Sequence, residues 1–118
     1  KVQEAIEKWS EVKKQNDKIK LHLIGKLQSN KVKYAIRVFD YIHSLDSEKL
    51  AKKISEEQNK QNLKPKIFIQ INLAEESQKS GIMKENLVEF CLFVNGCIPR
   101  TRLNGERLLL KRREGYAF

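Results

Sequence analysis

The segment from Lys66 to Leu73 restricts the fold of this chain more than any other part of the sequence. Its apolar side chains occupy nearly every position: Ile67, Phe68, Ile69, Ile71 and Leu73. A strand with this pattern is typical of a parallel sheet that is covered on both faces. Since side chains alternate along a strand, we expect Phe68, Gln70 and Asn72 on one face and the aliphatic residues on the other.

The rest of residues 2–97 alternates between helical and strand patterns. Apolar residues recur at helical spacing in four segments, which predicts helices over 2–15, 29–39, 47–59 and 84–95. Two shorter apolar segments predict strands over 21–24 and 41–45. Together with the strand over 66–73, this order predicts an α/β fold of roughly three parallel strands alternating with helices.

Local signals set the expected ends of these helices. Ser29 and Ser47 are candidate N-caps, and Gly96 is expected just beyond the last helix. In that last helix the spacing predicts one apolar stripe, made of Leu87, Val88, Cys91 and Leu92.

Polar side chains in the strands are the candidate functional groups. Asn72 lies near the carboxyl end of its strand, which is where ligands bind in βα barrels. His22 lies in the first strand, and in the second strand the sequence does not decide whether His43 or Ser44 points inward. For each of these residues the alternative is structural, because a buried polar side chain often only satisfies other polar groups.

The loop after residue 73 is polar and offers weaker candidates. Ser80 and Gly81 could cradle a phosphate with backbone amides, although most such loops only connect elements. Lys79 has the chemistry of an amine nucleophile, but nothing nearby in the sequence activates it, so a solvated side chain is favoured. Glu75 and Glu76 have no second carboxylate group placed for hydrolysis, and no phosphate-loop, dinucleotide, hydrolase or zinc-protease motif is present.

Charge and composition limit the class of protein. The chain of 118 residues has a net charge of +9, and five of its six arginines lie within residues 100–118. That segment is a solvated tail, a nucleic-acid-binding arm or an out-of-frame sequence, and we favour the last because it lacks a recognition motif. No apolar run is long enough to span a membrane, and no signal peptide is evident. Two cysteines without zinc-ligand spacing favour the reducing cytoplasm.

Three runs of sequence are distinctive in composition, order and spacing: His22–Lys31, Ile42–Ser47 and the run from 70 to 82. Together with Val2–Ala5, they resemble the pyridoxal phosphate homeostasis protein family of the YggS/PROSC type, over roughly residues 2–90. The resemblance implies a (β/α)8 TIM-type barrel similar to the N-terminal domain of alanine racemase. It also implies that pyridoxal 5'-phosphate is bound on a lysine, and that the protein buffers and delivers this cofactor without established catalysis.

The same resemblance implies that His22, Ser44 and Asn72 line the cofactor pocket. The family's Schiff-base lysine lies on a strand that would precede residue 1, and its phosphate-binding loops would follow residue 97, so neither has a match here. Since the chain also begins with Lys1, we expect a truncated fragment. Its parts are a partial barrel domain over residues 1–97 and an unmatched basic tail over residues 98–118.

These expectations leave several functions open. A truncated chain is expected to bind the cofactor weakly, and its open sheet edges are expected to cause marginal stability or self-association. A second hypothesis is a functional family member of which this chain is one segment, and a third is nucleic-acid binding through residues 100–118. A racemase or lyase is least favoured, because no lysine is placed to hold the cofactor.

Overall fold

The computed structural model describes residues 2–72 and 80–98. Its helices are α1 (Val2–Gln15), α2 (Val32–Val38), α3 (Glu48–Gln61) and α4 (Leu87–Cys97), with 3-10 turns at Ser29–Lys31 and Lys84–Asn86. Its strands are β1 (His22–Leu23), β2 (Tyr41–Leu45), β3 (Lys66–Ile69), β4 (Ile71–Asn72) and β5 (Ile82–Met83). All the strand pairs among these residues are parallel, so the predicted α/β class with parallel strands is confirmed.

The predicted strand over 66–73 divides at Gln70, because its two halves pair with different strands. β3 joins β1 and β2 in a three-stranded sheet in the order β1-β2-β3, whereas β4 pairs with β5. The backbone of Gln70 connects the two sheets: its amide donates to the carbonyl of Leu45 at 2.8 Å, and its carbonyl accepts from Ile82 at 2.8 Å. Leu73, the predicted last residue of the strand, lies outside the described residues.

One hydrophobic core unites the sheet with the helices. Ile42 and Leu45 of β2 are completely buried, as are Ile67 and Ile69 of β3, and these residues form one cluster with apolar residues of the helices. The helical members nearest to complete burial are Val32, Ala35, Ala51 and Ile54. This arrangement confirms the expected side-chain parity of β3, because its aliphatic residues share the core face.

Strand β2 contains an irregularity that the sequence does not indicate. Ile42 pairs with Ile67 and Leu45 with Ile69, so three steps along β2 match two steps along β3. Ile42 and Leu45 therefore share the core face, although regular alternation would separate them. Of the two residues between them, His43 lies on the opposite face, where its ring stacks on Phe68. The two-for-one register of a bulge gives Ser44 the same face, so His43 and Ser44 need not point in opposite directions.

The expected helix ends are partly right. The Ser47 hydroxyl accepts from the Leu50 amide at 3.2 Å, which confirms this N-cap. Ser29 was the wrong N-cap, because the 3-10 turn begins at Ser29 itself and Gln28 occupies the cap position. Gly96 lies inside α4 rather than beyond it, because the helix continues to Cys97.

The apolar stripe predicted for α4 was also wrong in part. Val88 and Leu92 are 74% and 67% exposed, whereas Phe90 and Val94 are buried. Leu87 and Cys91 do pack against the core, with Phe90 and Val94 as their neighbours on the same face. The residues 87, 90, 91 and 94 fit helical spacing as well as the predicted set does, so periodicity alone could not choose between two overlapping stripes.

Asp40 connects the amino-terminal ends of β1 and β2. Its Oδ2 accepts from the Lys13 ammonium at 2.7 Å and from the Leu21 amide at 2.9 Å, while its own amide donates to the Leu21 carbonyl. Burial opposes ionisation of Asp40, but these hydrogen bonds and the charges of Lys13 and Lys20 outweigh it, and the pKa of Asp40 lies below its ordinary value.

Replacing Asp40 with Asn should therefore destabilise the fold by about 1–3 kcal/mol at neutral pH, because Lys13 loses its charged partner. A lowered pKa stabilises the fold above the ordinary carboxyl pKa, and this stabilisation is lost as the pH falls through the lowered value. The difference in free energy of unfolding between the two proteins should be constant above about pH 5 and narrow below about pH 4. Urea unfolding of both proteins between about pH 3 and pH 7 measures this difference. The control is Asp17→Asn, which removes a carboxylate at an exposed position. A difference that does not change with pH would contradict the ionic contribution.

No helix among residues 2–72 and 80–98 has the length and apolar character needed to cross a membrane. The residues of the predicted basic tail, apart from Ile98, lie outside the described part of the chain, as do Glu75, Glu76 and Lys79.

Candidate functional site

The candidate residue His22 lies at one end of a row of rings on the sheet face opposite to the aliphatic core. Its imidazole stacks on Tyr41 with ring centroids 4.1 Å apart and an angle of 2° between the planes. Its Nδ1 lies 2.9 Å from Nε2 of His43, whose ring stacks on Phe68 at 4.7 Å. The row thus includes a residue from each of β1, β2 and β3.

This contact explains how two histidines are accommodated in a largely apolar sheet. At 2.9 Å one ring nitrogen donates and the other accepts, so the pair shares one hydrogen bond. His43 is only 3% exposed, whereas His22 is exposed at the edge strand. The hydrogen bond lets each histidine fix the orientation of the other imidazole. A hydrogen bond to one ring nitrogen also sets the tautomer of a histidine that binds a ligand.

Ser44, the second candidate, is buried next to this row. Its side chain is 3% exposed, and its Oγ makes no hydrogen bond to any group in the described structure. A buried hydroxyl without a partner costs about 1–3 kcal/mol. It is therefore the kind of group that either receives a polar ligand or destabilises the fold, and the strand irregularity at residues 43–44 is what turns it away from the core.

Asn72, the third candidate, is 5% exposed and is held by the pairing of β4 with β5. This pairing depends on Gly81, which has a φ of +117°. A Cβ at Gly81 would lie 2.7 Å from the Asn72 amide nitrogen and 2.9 Å from the Ile71 carbonyl carbon. The Gly81 amide also donates to Oδ2 of Asp46 at 3.1 Å, which ties Gly81 to the residue that follows β2.

A cavity of about 490 Å³ lies beside the end of β1. Its lining residues come from the start of α1 and from the segment after β1: Val2, Gln3, Gly25, Lys26, Gln28 and Lys31. All six belong to the distinctive runs Val2–Ala5 and His22–Lys31, and only the fold shows that these two runs meet. The three candidates His22, Ser44 and Asn72 do not line this cavity.

The structure therefore brings some of the predicted groups together and adds others. It joins His22 to His43 and places Ser44 beside His43 on one face, while Asn72 lies farther along the continuation of β3. Asp46 belongs to the distinctive run Ile42–Ser47, but the sequence did not indicate its contact with Gly81. The stacking role of Tyr41 was missed, although the spacing of Tyr41 and His43 by two residues indicated a shared face. Among the described residues, no group of three metal-ligating side chains is assembled.

The chain resembles known proteins in both sequence and structure. It is 33% identical over 104 residues to the pyridoxal phosphate homeostasis protein of Haemophilus influenzae. Its fold matches a structure of PipY from Synechococcus elongatus solved without PLP, with a TM-score of 0.72, 35% identity and 82% of this chain covered. PipY with PLP bound matches with a TM-score of 0.63 and 34% identity over 79% of this chain. No protein-family model matches the sequence.

These likenesses define the chain as part of an α/β barrel of the TIM type. It belongs to the pyridoxal phosphate homeostasis protein family, the YggS/PROSC type, as the sequence resemblance predicted. The chain spans about 44% of the length of the Haemophilus relative and 45% of the PipY chain. The Haemophilus relative is named for the homeostasis of pyridoxal phosphate.

Proposed function

We propose that this chain binds pyridoxal 5'-phosphate as part of its homeostasis, with His22, Ser44 and Asn72 as cofactor-binding residues. The observation that supports this most directly is the buried Ser44 hydroxyl, which has no hydrogen-bond partner in the described structure. It lies next to His43 of the imidazole pair, at the sheet face opposite to the aliphatic core, and a structural neighbour with PLP bound shares this fold.

The residues fit the chemistry of the cofactor. Pyridoxal 5'-phosphate presents a ring nitrogen, a phenolic oxygen and a phosphate, all of which take hydrogen bonds. The Ser44 hydroxyl donates or accepts, the imidazole of His22 can do either, and the Asn72 amide can do both. When bound, the cofactor supplies its own aldehyde chemistry, and the role of these side chains is to bind and orient it.

Several finer points belong to the same proposal. We propose that binding is impaired in a chain that has only part of the barrel, and that residues 1–97 form the barrel segment while 98–118 form a separate basic tail. Among the described residues β1 pairs only with β2, so its outer edge is open to a further strand. Self-association through such edges and a cytoplasmic location complete the proposal.

The Ser44→Ala variant tests the assignment. It should weaken cofactor binding by about tenfold, because one hydrogen bond to the ligand is lost. Its free energy of unfolding should be unchanged or raised, since the hydroxyl it removes has no partner in the described structure. Equilibrium dialysis with pyridoxal 5'-phosphate and with pyridoxine 5'-phosphate measures the affinity. The second compound lacks the aldehyde and cannot form imines with the many surface lysines.

Ser10→Ala is the matched control, because its hydroxyl donates within α1 to the carbonyl of Ile6. This variant should bind both compounds as the unaltered chain does. If Ser44→Ala binds them with unchanged affinity, Ser44 is not a cofactor residue and its burial is purely structural. If neither compound binds the unaltered chain, this segment does not bind the cofactor by itself.

A further inference from the structure

A second recess lies at the amino-terminal ends of the strands, away from Asn72 and Gly81. It has a volume of about 360 Å³, and its basic lining residues are Lys13, Lys20, Arg37, Lys64 and Lys66. Asp40 is the one acidic residue in this lining. Five positive charges thus surround a space that is large enough for a small organic ligand.

The sheet topology explains why these residues meet. His22 pairs with Tyr41 and Tyr41 pairs with Lys66, so the three strands begin side by side. Lys20 precedes β1 and Lys66 is the first residue of β3, so both lie where the amino-terminal ends of the parallel strands meet. The residues are distant in sequence, which is why the charge distribution along the chain did not indicate this cluster.

Three of these cations, Lys20, Lys64 and Lys66, form neither an ion pair within 4 Å nor a side-chain hydrogen bond in the described structure, although the charge of Lys20 acts on Asp40 at longer range. Lys13 is bound to Asp40, and Nε of Arg37 donates to Oε1 of Gln61 at 2.7 Å. None of the ion pairs or side-chain hydrogen bonds among residues 2–72 and 80–98 uses the ammonium of Lys20, Lys64 or Lys66. Like charges that line one recess repel each other, and an anion bound between them would remove that repulsion.

We propose that this recess binds a small anion with two or more phosphate groups. Three separate ammonium groups match a chain of phosphates better than a single one, because each phosphate oxygen can take its own charge-assisted hydrogen bond. The lining also has an apolar wall, which includes Leu63 (39% exposed) next to the buried Pro65, and Leu63 can contact an organic group attached to the phosphates. Inorganic triphosphate and nucleoside triphosphates share this chemistry.

The site is distinct from the proposed cofactor site. Asp46 follows the end of β2 and accepts from the Gly81 amide, and Asn72 is the last residue of β4, whereas this recess lies where β1, β2 and β3 begin. Tyr41 is the residue common to both regions, since it lines the recess and stacks on His22. The proposal does not depend on cofactor binding, and it fails or holds independently.

Isothermal titration of the 118-residue chain with sodium triphosphate at low ionic strength tests the proposal. The Lys20→Gln/Lys64→Gln/Lys66→Gln variant should bind triphosphate about tenfold more weakly or worse. The control Lys8→Gln/Lys33→Gln/Lys49→Gln loses the same charge at exposed lysines outside the recess and should change affinity by less than about threefold. Affinity should fall as salt is added.

Two further measurements use only the unaltered chain, so they remain valid if a variant does not fold. The first compares ATP with triphosphate, and the second follows the amide NMR signals. Tighter binding of ATP than of triphosphate would support the proposal with the nucleoside on the apolar wall, and equal binding would support it with phosphates alone. In the unaltered chain, triphosphate should shift the amide NMR signals of Asp40, Lys64 and Lys66 first. Equal losses in both triple variants, no triphosphate binding, or binding only of a single-stranded oligonucleotide would overturn the proposal.

Discussion

Replacing Gly81 with Ala should destabilise the protein by about 2–4 kcal/mol, because two independent costs arise at one residue. Gly81 has a φ of +117°, which a residue with a Cβ rarely adopts. The added Cβ would also lie 2.7 Å from the amide nitrogen of Asn72, and both atoms are held by the backbone. No side-chain rotation can relieve such a contact.

The expected result includes a local change near the proposed cofactor site. Relief of the contact requires β5 to move away from β4, and this movement would break the hydrogen bonds of Gly81 to Asp46 and of Ile82 to Gln70. Asn72 would then lose the pairing that positions it. Urea unfolding measures the loss of stability, and the Asn72 amide signal reports the displacement.

Gly96 is the matched control for this substitution. It lies within α4, and a Cβ placed there meets nothing within 4 Å. Gly96→Ala should therefore stabilise the protein by about 0.5–1 kcal/mol, since Ala is the better helix former. A Gly81→Ala protein as stable as the unaltered chain would show that β5 does not pack on β4 in solution.

The elements with strong local signals could be predicted from sequence. The helix predicted over 2–15 matches α1, and the one predicted over 47–59 matches α3 within two residues at its end. Both have regular apolar spacing, and α3 has a serine cap as well. The parallel sheet followed from Ile67, Phe68 and Ile69, since only a strand covered on both faces needs apolar residues in succession.

Features that depend on tertiary contacts could not be predicted. The irregularity in β2 is a matter of register with β3, and nothing in the sequence around His43 and Ser44 specifies it. β5 contains only Ile82 and Met83, which is too short for any periodic pattern. Gly81 could be placed in a loop, but its close approach to Asn72 is a contact between backbones and leaves no mark in side-chain composition.

The candidate site shows the same division. His22, Ser44 and Asn72 were chosen by resemblance, and their role in binding the cofactor stays a prediction. Their burial and contacts come from the fold: β2 brings His43 to His22, and the β2 irregularity turns Ser44 to the same face. Local sequence therefore indicated which residues were unusual, while strand register determined which of them could act together.

Replacing Ile69 with Ala should cost about 2–5 kcal/mol, because Ile69 is completely buried in the core and its loss leaves a cavity. The sequence placed Ile24 in a buried strand as well, but β1 ends at Leu23 and Ile24 is 59% exposed. Ile24→Ala should therefore cost less than about 1 kcal/mol. The two variants remove the same atoms, so their difference reports mainly the difference in burial, with a smaller part from the position of Ile69 in a strand.

This pair of variants also tests the expectation that the open edges of a partial barrel make the chain marginally stable. Because a native core is close-packed, the loss in free energy of unfolding should be several-fold larger for Ile69→Ala than for Ile24→Ala. Urea unfolding curves measure both losses, and the curves of the two variants should have equal slopes. Equal and small losses, with a reduced slope, would mean that Ile69 is not held in a fixed environment. The chain would then require further strands before its core, and the site on the opposite face of the sheet, acquire a defined geometry.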